Sequence, residues 1–355
     1  MAFLQIHNVR VSGTAATVPR EIERNEELSF FKNDPQALAA FVANVGVRER
    51  RVSRERNVCA SDLCYAAAEK LIENLRWNKD EIGALIFVSQ TADYRLPATA
   101  CLLQARLGLS PECLAFDISL GCSGWVYGMS VAASLVSAGT LGKVILLAGD
   151  TPGTHLHSRF DKSSAPLFGD AGTATALEFS ETAASLSFHL ETDGNGASAI
   201  FLPDGGARNP VRPESLNLQD LGDGVKCTPL QTRMNGMDVF GFAVSRAPKS
   251  VKKLTERFVP ALPEGTFLLL HQANRLINEK IRKKLGFPEA LCPTNLDNFG
   301  NTSCASIPLL MVSERERIKW NGNTILACGF GVGLSVGSLY AQLPEDFVVP
   351  ALIEM

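Results

Sequence analysis

The sequence predicts an α/β protein made of two related units with mixed, mostly parallel sheets. Three observations lead there. Apolar runs of strand length alternate with segments of helical character along the chain. The second half restarts the pattern of the first at an offset of about 180 residues. The strand at Leu85 answers the one at Phe267, Asp117 and Gly121 answer Asp297 and the turn before Asn301, and the strand at Val144 answers the one at Thr324. Finally, 355 residues, 46% of them hydrophobic, suffice for one large core or two related ones.

In order, residues 3–18 read as a first strand and turn. Residues 20–57 are charged and mixed, and their closing basic run, GVRERRVSRER, reads as a solvated loop. Residues 61–74 place apolar side chains on one face of a helix. Residues 84–91 (ALIFVSQT) form a buried strand, and 97–107 are helical with small and apolar residues on one side. An apolar run at 114–120 ends at Gly121 and passes through Cys122 into a helix reaching Ala138. KVILLAGDT (143–151) is another buried strand, 152–167 a polar loop with His155 and His157, and 168–179 a strand rich in small residues. After Glu181, SLSFHLETDG reads as an edge strand and 197–234, rich in Gly, Pro and Asn, as an irregular insertion. A helix over 235–257, a buried strand over 266–274 and a basic helix over 274–286 closed by Gly286 follow. CPTNLDNFGNTSCAS runs from strand to turn to helix, and 323–343 is a glycine-rich strand pair.

Composition excludes several classes. A net charge of −3 argues against a general nucleic-acid binder. The nine cysteines (59, 64, 101, 113, 122, 227, 292, 304 and 328) are odd in number and include no CxxC pair, which fits a reduced compartment and neither a disulfide framework nor a zinc site. MAFLQIHNVRV has no basic stretch followed by an apolar one, so no secretory signal is expected. No uncharged apolar run reaches the roughly 18 residues of a membrane span. A cytoplasmic protein is expected, in which Asn301-Thr302-Ser303 carries no glycan.

Cys122 sits where a buried strand feeds the first turn of a helix. The N–H groups there lack internal partners and the dipole favours negative charge, so the thiol is expected to ionise below the usual value of about 8.5. Gly121, Ser123 and Gly124 leave room for a carbonyl. Cys122 reads equally as one more buried cysteine. His271 ends the apolar strand FLLL, beyond which α/β proteins bind ligands, or it is a core histidine. Asn301 opens a helix as an N-cap or serves a site. A duplicated unit would bring the three to one cleft, and GFGVG (329–333) would add a backbone N–H that, with the N–H of Cys122, makes an oxyanion hole.

The motifs GVRER, FDISLGCSGWVYG, FGDAG, LLLHQAN, FGNTSCASIP and GFGVGLSVGS come in one order across nearly the whole chain. In them the sequence resembles the β-ketoacyl-acyl-carrier-protein synthase III group of the thiolase superfamily. The resemblance implies a thiolase-like duplicated βαβαβαββ fold in α-β-α-β-α layers. Residues 1–181 would form the half with the nucleophile and 182–355 the half with the histidine and asparagine. It implies Cys122 as acyl acceptor, and His271 and Asn301 as donors to the enolate of a malonyl thioester that loses CO₂. It also implies the N–H groups of Cys122 and Val332 as the oxyanion hole. Leu96 (standing where the family has an aromatic gate contributed across a dimer), Lys162, Asn274 and Phe330 would touch substrate. Arg275, Lys280, Lys283 and Lys284 would dock an acidic acyl carrier protein.

No cofactor or metal is implied. The substrates would be acyl-CoA or acyl-carrier-protein thioesters, and the assembly a homodimer. Ala40 and Asn44 replace the tryptophan and arginine that grip adenine in acetyl-CoA-primed members, and Lys162 replaces a further arginine, so a different acyl donor is expected. The rival readings are a non-decarboxylating acyltransferase on this scaffold and a non-catalytic heterodimer partner.

Overall fold

The computed structural model describes residues 2–54 and 58–355; Glu55 and Arg56, at the end of the basic run, lie outside the described residues. The first half supplies β1 (Ala2–Ile6), β2 (Val9–Val18), α1 (Pro35–Val45), α2 (Ala60–Leu75), β3 (Ile82–Val88), α3 (Thr99–Arg106), β4 (Leu114–Ile118), α4 (Gly124–Ser137), β5 (Lys143–Asp150) and β6 (Ala171–Phe179). The second supplies β7 (Leu186–Thr192), α5 (Gly236–Phe258), β8 (Phe267–Leu270), α6 (Arg275–Leu285), α7 (Leu296–Phe299), α8 (Ser306–Ser313), β9 (Thr324–Gly331), β10 (Ser335–Gln342) and β11 (Ile353–Glu354).

Two large sheets result, ordered β11-β2-β6-β5-β3-β4 and β1-β7-β10-β9-β8. Their centres match strand for strand. β6 lies antiparallel between β2 and β5, and β5 is parallel to β3; β10 lies antiparallel between β7 and β9, and β9 is parallel to β8. Each sheet then takes an outer strand from the other end of the chain: β1 joins the second sheet and β11 the first.

Strands covered on both faces need apolar residues throughout, which is why β3, β5 and β8 read as unbroken apolar runs. Successive side chains point to opposite faces. Leu85 and Phe87 therefore pack with Leu71, Ile72 and Leu103 of α2 and α3 on the outer side. Ile86 and Val88 face inward to Trp125, Val126 and Met129 of α4 and Ile307 and Leu310 of α8. On the second sheet, Leu269 joins that central layer, while Leu268 and Leu270 meet Val251, Leu254, Ile277 and Ile281 of α5 and α6. The layers are thus α-β-α-β-α, a thiolase-like fold with α4 and α8 at its centre.

Four expectations from the sequence need correcting. Residues 3–18 are two strands in different sheets, divided where Asn8 takes a φ of +62°. SLSFHLETDG is not an edge, because β1 pairs along it. Residues 292–295 form no strand, so the second sheet lacks a counterpart of β4. The basic run is not simply a solvated loop: Glu49–Arg51 pairs with Ile22–Arg24, and the Arg50 side chain is wholly buried. Its guanidinium donates to Glu23 (2.6 Å) and to the Asn25 amide oxygen (2.9 and 3.2 Å), which compensates its removal from water. The same mixed segment also hides α1, started by the Asp34 side chain, which accepts from the Ala37 N–H at 2.9 Å.

Candidate active site

Cys122 lies in the turn between β4 and α4, which is closed by a Gly124 N–H to Gly121 carbonyl bond of 2.6 Å. Glycines make the fit possible. A Cβ at Gly121 would lie 2.3 Å from Gln90 Oε1 and 2.8 Å from Val332 Cγ1, and one at Gly331 would lie 2.7 Å from the Cys122 sulfur. The half-buried thiol is reached by the Val332 N–H, by its own N–H and by the Ser303 hydroxyl. Burial outweighs all three and, with the nearby charge of Asp150, pushes the thiol up to about 11. This corrects the expectation of an acidified thiol. Cys122 precedes the helix N-cap, Ser123, and leaving water costs the thiolate more than the helix terminus returns.

Asp150, at the end of β5, has no exposure. Its Oδ1 accepts from Gln90 N–H (2.7 Å), the Ser89 hydroxyl (2.9 Å), the Thr91 hydroxyl (3.1 Å) and Thr91 N–H (3.2 Å). The Cys304 thiol donates to Oδ2 at 3.4 Å. Burial raises this carboxyl, and the Ser303 hydroxyl opposes the rise.

His271 follows β8 and is almost fully buried. Its Nδ1 is 2.7 Å from the Ser306 hydroxyl, and its ring stands edge-on to Phe330 with centroids 5.4 Å apart. Burial lowers the imidazole to about 3, against hydrogen bonding with the Ser303 backbone, so the ring is neutral at physiological pH. Asn301 lies in the turn after α7. Its N–H donates to the Leu167 carbonyl (2.9 Å) and its carbonyl accepts from Gly169 N–H (3.1 Å). Its side-chain oxygen accepts from the Ser303 N–H at 2.9 Å, which leaves the NH₂ end as donor.

Ser303 thus touches all three predicted residues. Its hydroxyl meets Cys122 and its backbone meets His271 and Asn301. It does so with a φ of +52°, a strained value for a serine that is typical of functional sites. Neither Ser303 nor Asp150 was a candidate from the sequence. NTSCAS contains the serine, but nothing in the string signals a left-handed residue.

Residues 116–194 match the family model described as 3-oxoacyl-[acyl-carrier-protein (ACP)] synthase III, and residues 264–343 match the model of its C-terminal part. The chain is 33% identical over 337 residues to a beta-ketoacyl-[acyl-carrier-protein] synthase III of Streptococcus agalactiae, covering 94% of this chain and 99% of that one. It belongs to the synthase III family. A synthase III of Rhodopirellula baltica is 32% identical over 354 residues, covering 94% of this chain and 98% of the other. The crystal structure of a 3-oxoacyl-(acyl-carrier protein) synthase from Burkholderia xenovorans LB400 superposes with a TM-score of 0.90 at 36% identity, covering 100% and 99% of the two chains. The protein is therefore a condensing enzyme of the transferase class.

The other residues expected to serve this synthase III are placed unevenly. Leu96 is 87% exposed on its own chain. Lys162 lies against Gly224 of the insertion, to whose carbonyl its N–H donates (3.2 Å). Asn274 spends its side-chain oxygen capping α6 through the Ile277 N–H (2.8 Å). Phe330 is 2% exposed, and its ring stands edge-on to His271. On α6, Lys284 donates to the Val244 carbonyl (2.8 Å) and Lys280 lies over the Phe240 ring (5.7 Å). Lys283 is 72% exposed, and Arg275 flanks a surface groove with Arg24, Arg48 and the α1 residues Leu38, Ala39, Val42 and Ala43. Among the described residues no cluster of His, Cys, Asp and Glu could hold a metal, and no helix is long and apolar enough to cross a membrane.

Proposed function

We propose that the enzyme loads an acyl group onto Cys122 and condenses it with a malonyl thioester, giving a 3-oxoacyl thioester in fatty-acid or related biosynthesis. The observation that carries this reading is the meeting of Cys122, His271 and Asn301 around Ser303. In loading, the sulfur attacks the donor thioester. The oxyanion is held by the N–H groups of Cys122 and Val332, the donor C–S bond breaks, and the proton lost by Cys122 leaves on the departing thiol. The malonyl group then enters and its bond to the carboxylate breaks, releasing CO₂. The electron pair left behind makes an enolate, stabilised by donors from His271 and the Asn301 NH₂. The enolate carbon attacks the acyl-Cys122 carbonyl, the Cys122 thiolate leaves, and it is reprotonated.

A neutral His271 suits this role. With the Ser306 hydroxyl donating to Nδ1 across 2.7 Å, the ring carries its own proton on Nε2, the tautomer this role requires.

The donor is a longer chain, an unusual acid or an acyl group already on a carrier protein, since Ala40 and Asn44 on the exposed face of α1 offer the adenine of acetyl-CoA no ring and no guanidinium. Leu96, Lys162 and the remaining donor end of Asn274 contact the thioester arms, and Arg275, Lys280, Lys283 and Lys284 receive an acidic carrier protein. Residues 1–181 and 182–355 are the two halves of the duplicated unit, a division supported by the matching strand orders. The enzyme acts without a cofactor, as a cytoplasmic homodimer, consistent with nine free cysteines and the exposed Leu96.

The test is intact-mass measurement with a panel of acyl-CoA and acyl-carrier donors. An acyl adduct is expected on the wild type and absent from Cys122→Ala. Malonyl thioester should then release a product two carbons longer, and His271→Ala should load but not decarboxylate. A product formed without CO₂ release would mean plain acyl transfer. No adduct with any donor would overturn the reading.

A further inference from the structure

Val332 lies in the tight turn of the hairpin between β9 and β10, whose last paired residues are Gly331 and Ser335. Gly331 and Gly333 flank it, and Gly333 has a φ of +135°, open only to glycine at low strain. Glycine is required at 331 by the sulfur beside it. Yet the Val332 N–H must keep its place against that sulfur. Two buried serines fasten the loop. The Ser335 hydroxyl donates to the Val332 carbonyl at 2.8 Å, and its oxygen is 2.7 Å from the Ser123 hydroxyl. Because Ser335 spends its proton on Val332, the proton between the serines comes from Ser123. The chain of donors runs from Ser123 to Ser335 to Val332, and each bond polarises the next.

A second, independent feature points the same way. Ser123 is the N-cap of α4, where a serine hydroxyl normally accepts from a backbone N–H of the first turn, worth about 1 kcal/mol. Here it makes no such bond. Its backbone is already helical (φ −87°, ψ −7°), so the hydroxyl is not held as a cap and turns across to β10. Ser123 and Ser335 are 0% and 1% exposed, so no water competes for either group.

We propose that Ser123 and Ser335 form a clamp tying the nucleophile turn to the Val332 loop, and that both are positioning residues for acyl loading. This rests on the reading of Cys122 as acyl acceptor and Val332 as oxyanion donor. Neither serine touches the reacting atoms. Their effect is to hold one N–H where the oxyanion forms, since a displaced donor loses most of its value.

The experiment is single-turnover acylation of the full-length enzyme, followed by quenched intact mass. The donor is whichever of the acetyl, butyryl, octanoyl and benzoyl thioesters, each offered both on CoA and on acyl carrier protein, labels the wild type fastest. Removing an oxyanion donor outright costs about 100- to 1000-fold, so loosening one should cost about 10- to 100-fold. Ser335→Ala and Ser123→Ala are each expected to slow the maximal acylation rate by that factor, with half-saturation by donor unchanged. The double variant should be no slower than Ser335→Ala, because both act on one chain of bonds. Ser335→Thr, which keeps the hydroxyl, should recover most of the rate. Acylation of folded Ser335→Ala or Ser123→Ala at the wild-type rate would overturn the clamp. So would a change in half-saturation alone, or a threonine variant as slow as the alanine one. A wild type that accepts no acyl group from any donor would instead overturn the reading of Cys122 beneath it.

Discussion

The Arg50 guanidinium is buried 2.6 Å from the Glu23 carboxylate, and its Cγ lies beneath Gly300, where a Cβ would come within 3.0 Å of it. The ion pair therefore props the turn that presents Asn301. Burial pushes the Glu23 carboxyl up, but the guanidinium groups of Arg50 and Arg54 outweigh this and hold it below its usual value. Glu23→Gln leaves a buried guanidinium without its counter-ion, and breaking one side of such a pair costs about 3–5 kcal/mol. The expected result is a lower urea midpoint at pH 7. The carboxylate's contribution is complete above the unfolded pKa of about 4.3 and is lost as pH falls through the lower folded value. The gap between wild type and Glu23→Gln should therefore close below about pH 4, as denaturation curves would record.

What the sequence reveals and conceals follows from what each residue depends on. Residues 61–74 could be placed because the spacing of Leu63, Ala67 and Leu71 is a property of the string itself. Cys122, His271 and Asn301 could be found because each ends or begins an element whose pattern is local. The split at Asn8 could not, because β1 and β2 are assigned to different sheets by partners far along the chain, from Ile6 to Leu186 in one case and from Val9 to Phe179 in the other. Arg50 looked like one of several surface charges, since its burial depends on Glu23 and Asn25 arriving from a neighbouring strand and turn. Ser303 was hidden for a similar reason: its left-handed backbone is imposed by the groups it bridges.

The pKa of Cys122 sets its chemistry toward small reagents. A thiol pushed up to about 11 is almost wholly protonated at pH 7, and only the thiolate alkylates. Iodoacetamide should label Cys122 slowly at neutral pH, with a rate that keeps rising through pH 9.5 where an ordinary cysteine would level off. Peptide mass mapping resolved by pH would measure this. A plateau near pH 8.5 would show that the helix terminus governs the site after all.

Buried histidines make the fold sensitive to acid. Burial lowers both His157, stacked 3.8 Å from the Phe168 ring, and His271 to about 3. Between about pH 6.5 and 3 the unfolded chain binds protons at these two sites that the folded one refuses, and burial lowers His189 and His155 as well, so stability falls as pH drops through that window. The His157 Nδ1 has no hydrogen-bond partner, so a ring without nitrogens gives nothing up there. His157→Phe should keep the stacking and flatten the decline between pH 6.5 and 4.5, read from guanidinium midpoints across that range. A decline as steep as in the wild type would place the acid response elsewhere.

The basic face of α6 supplies the last prediction. Lys284 and Lys280 are engaged with Val244 and the Phe240 ring, and Arg282 is held by Glu279 at 2.7 Å. Lys283 keeps most of its surface in water, at 4.0 Å from Glu279. A rim charge of this kind acts on the rate of encounter and little on bound contacts, and salt screens it beyond about 10 Å. Lys283→Glu reverses the charge without touching the core. The KM for malonyl carrier protein should rise about 5-fold at low ionic strength, a gap that narrows as salt is added. The maximal rate and the KM for malonyl-CoA should hold. Steady-state kinetics at two salt concentrations with both malonyl donors separates these outcomes. An equal loss with the small donor would mean that Lys283 serves the thioester arm and not the carrier surface.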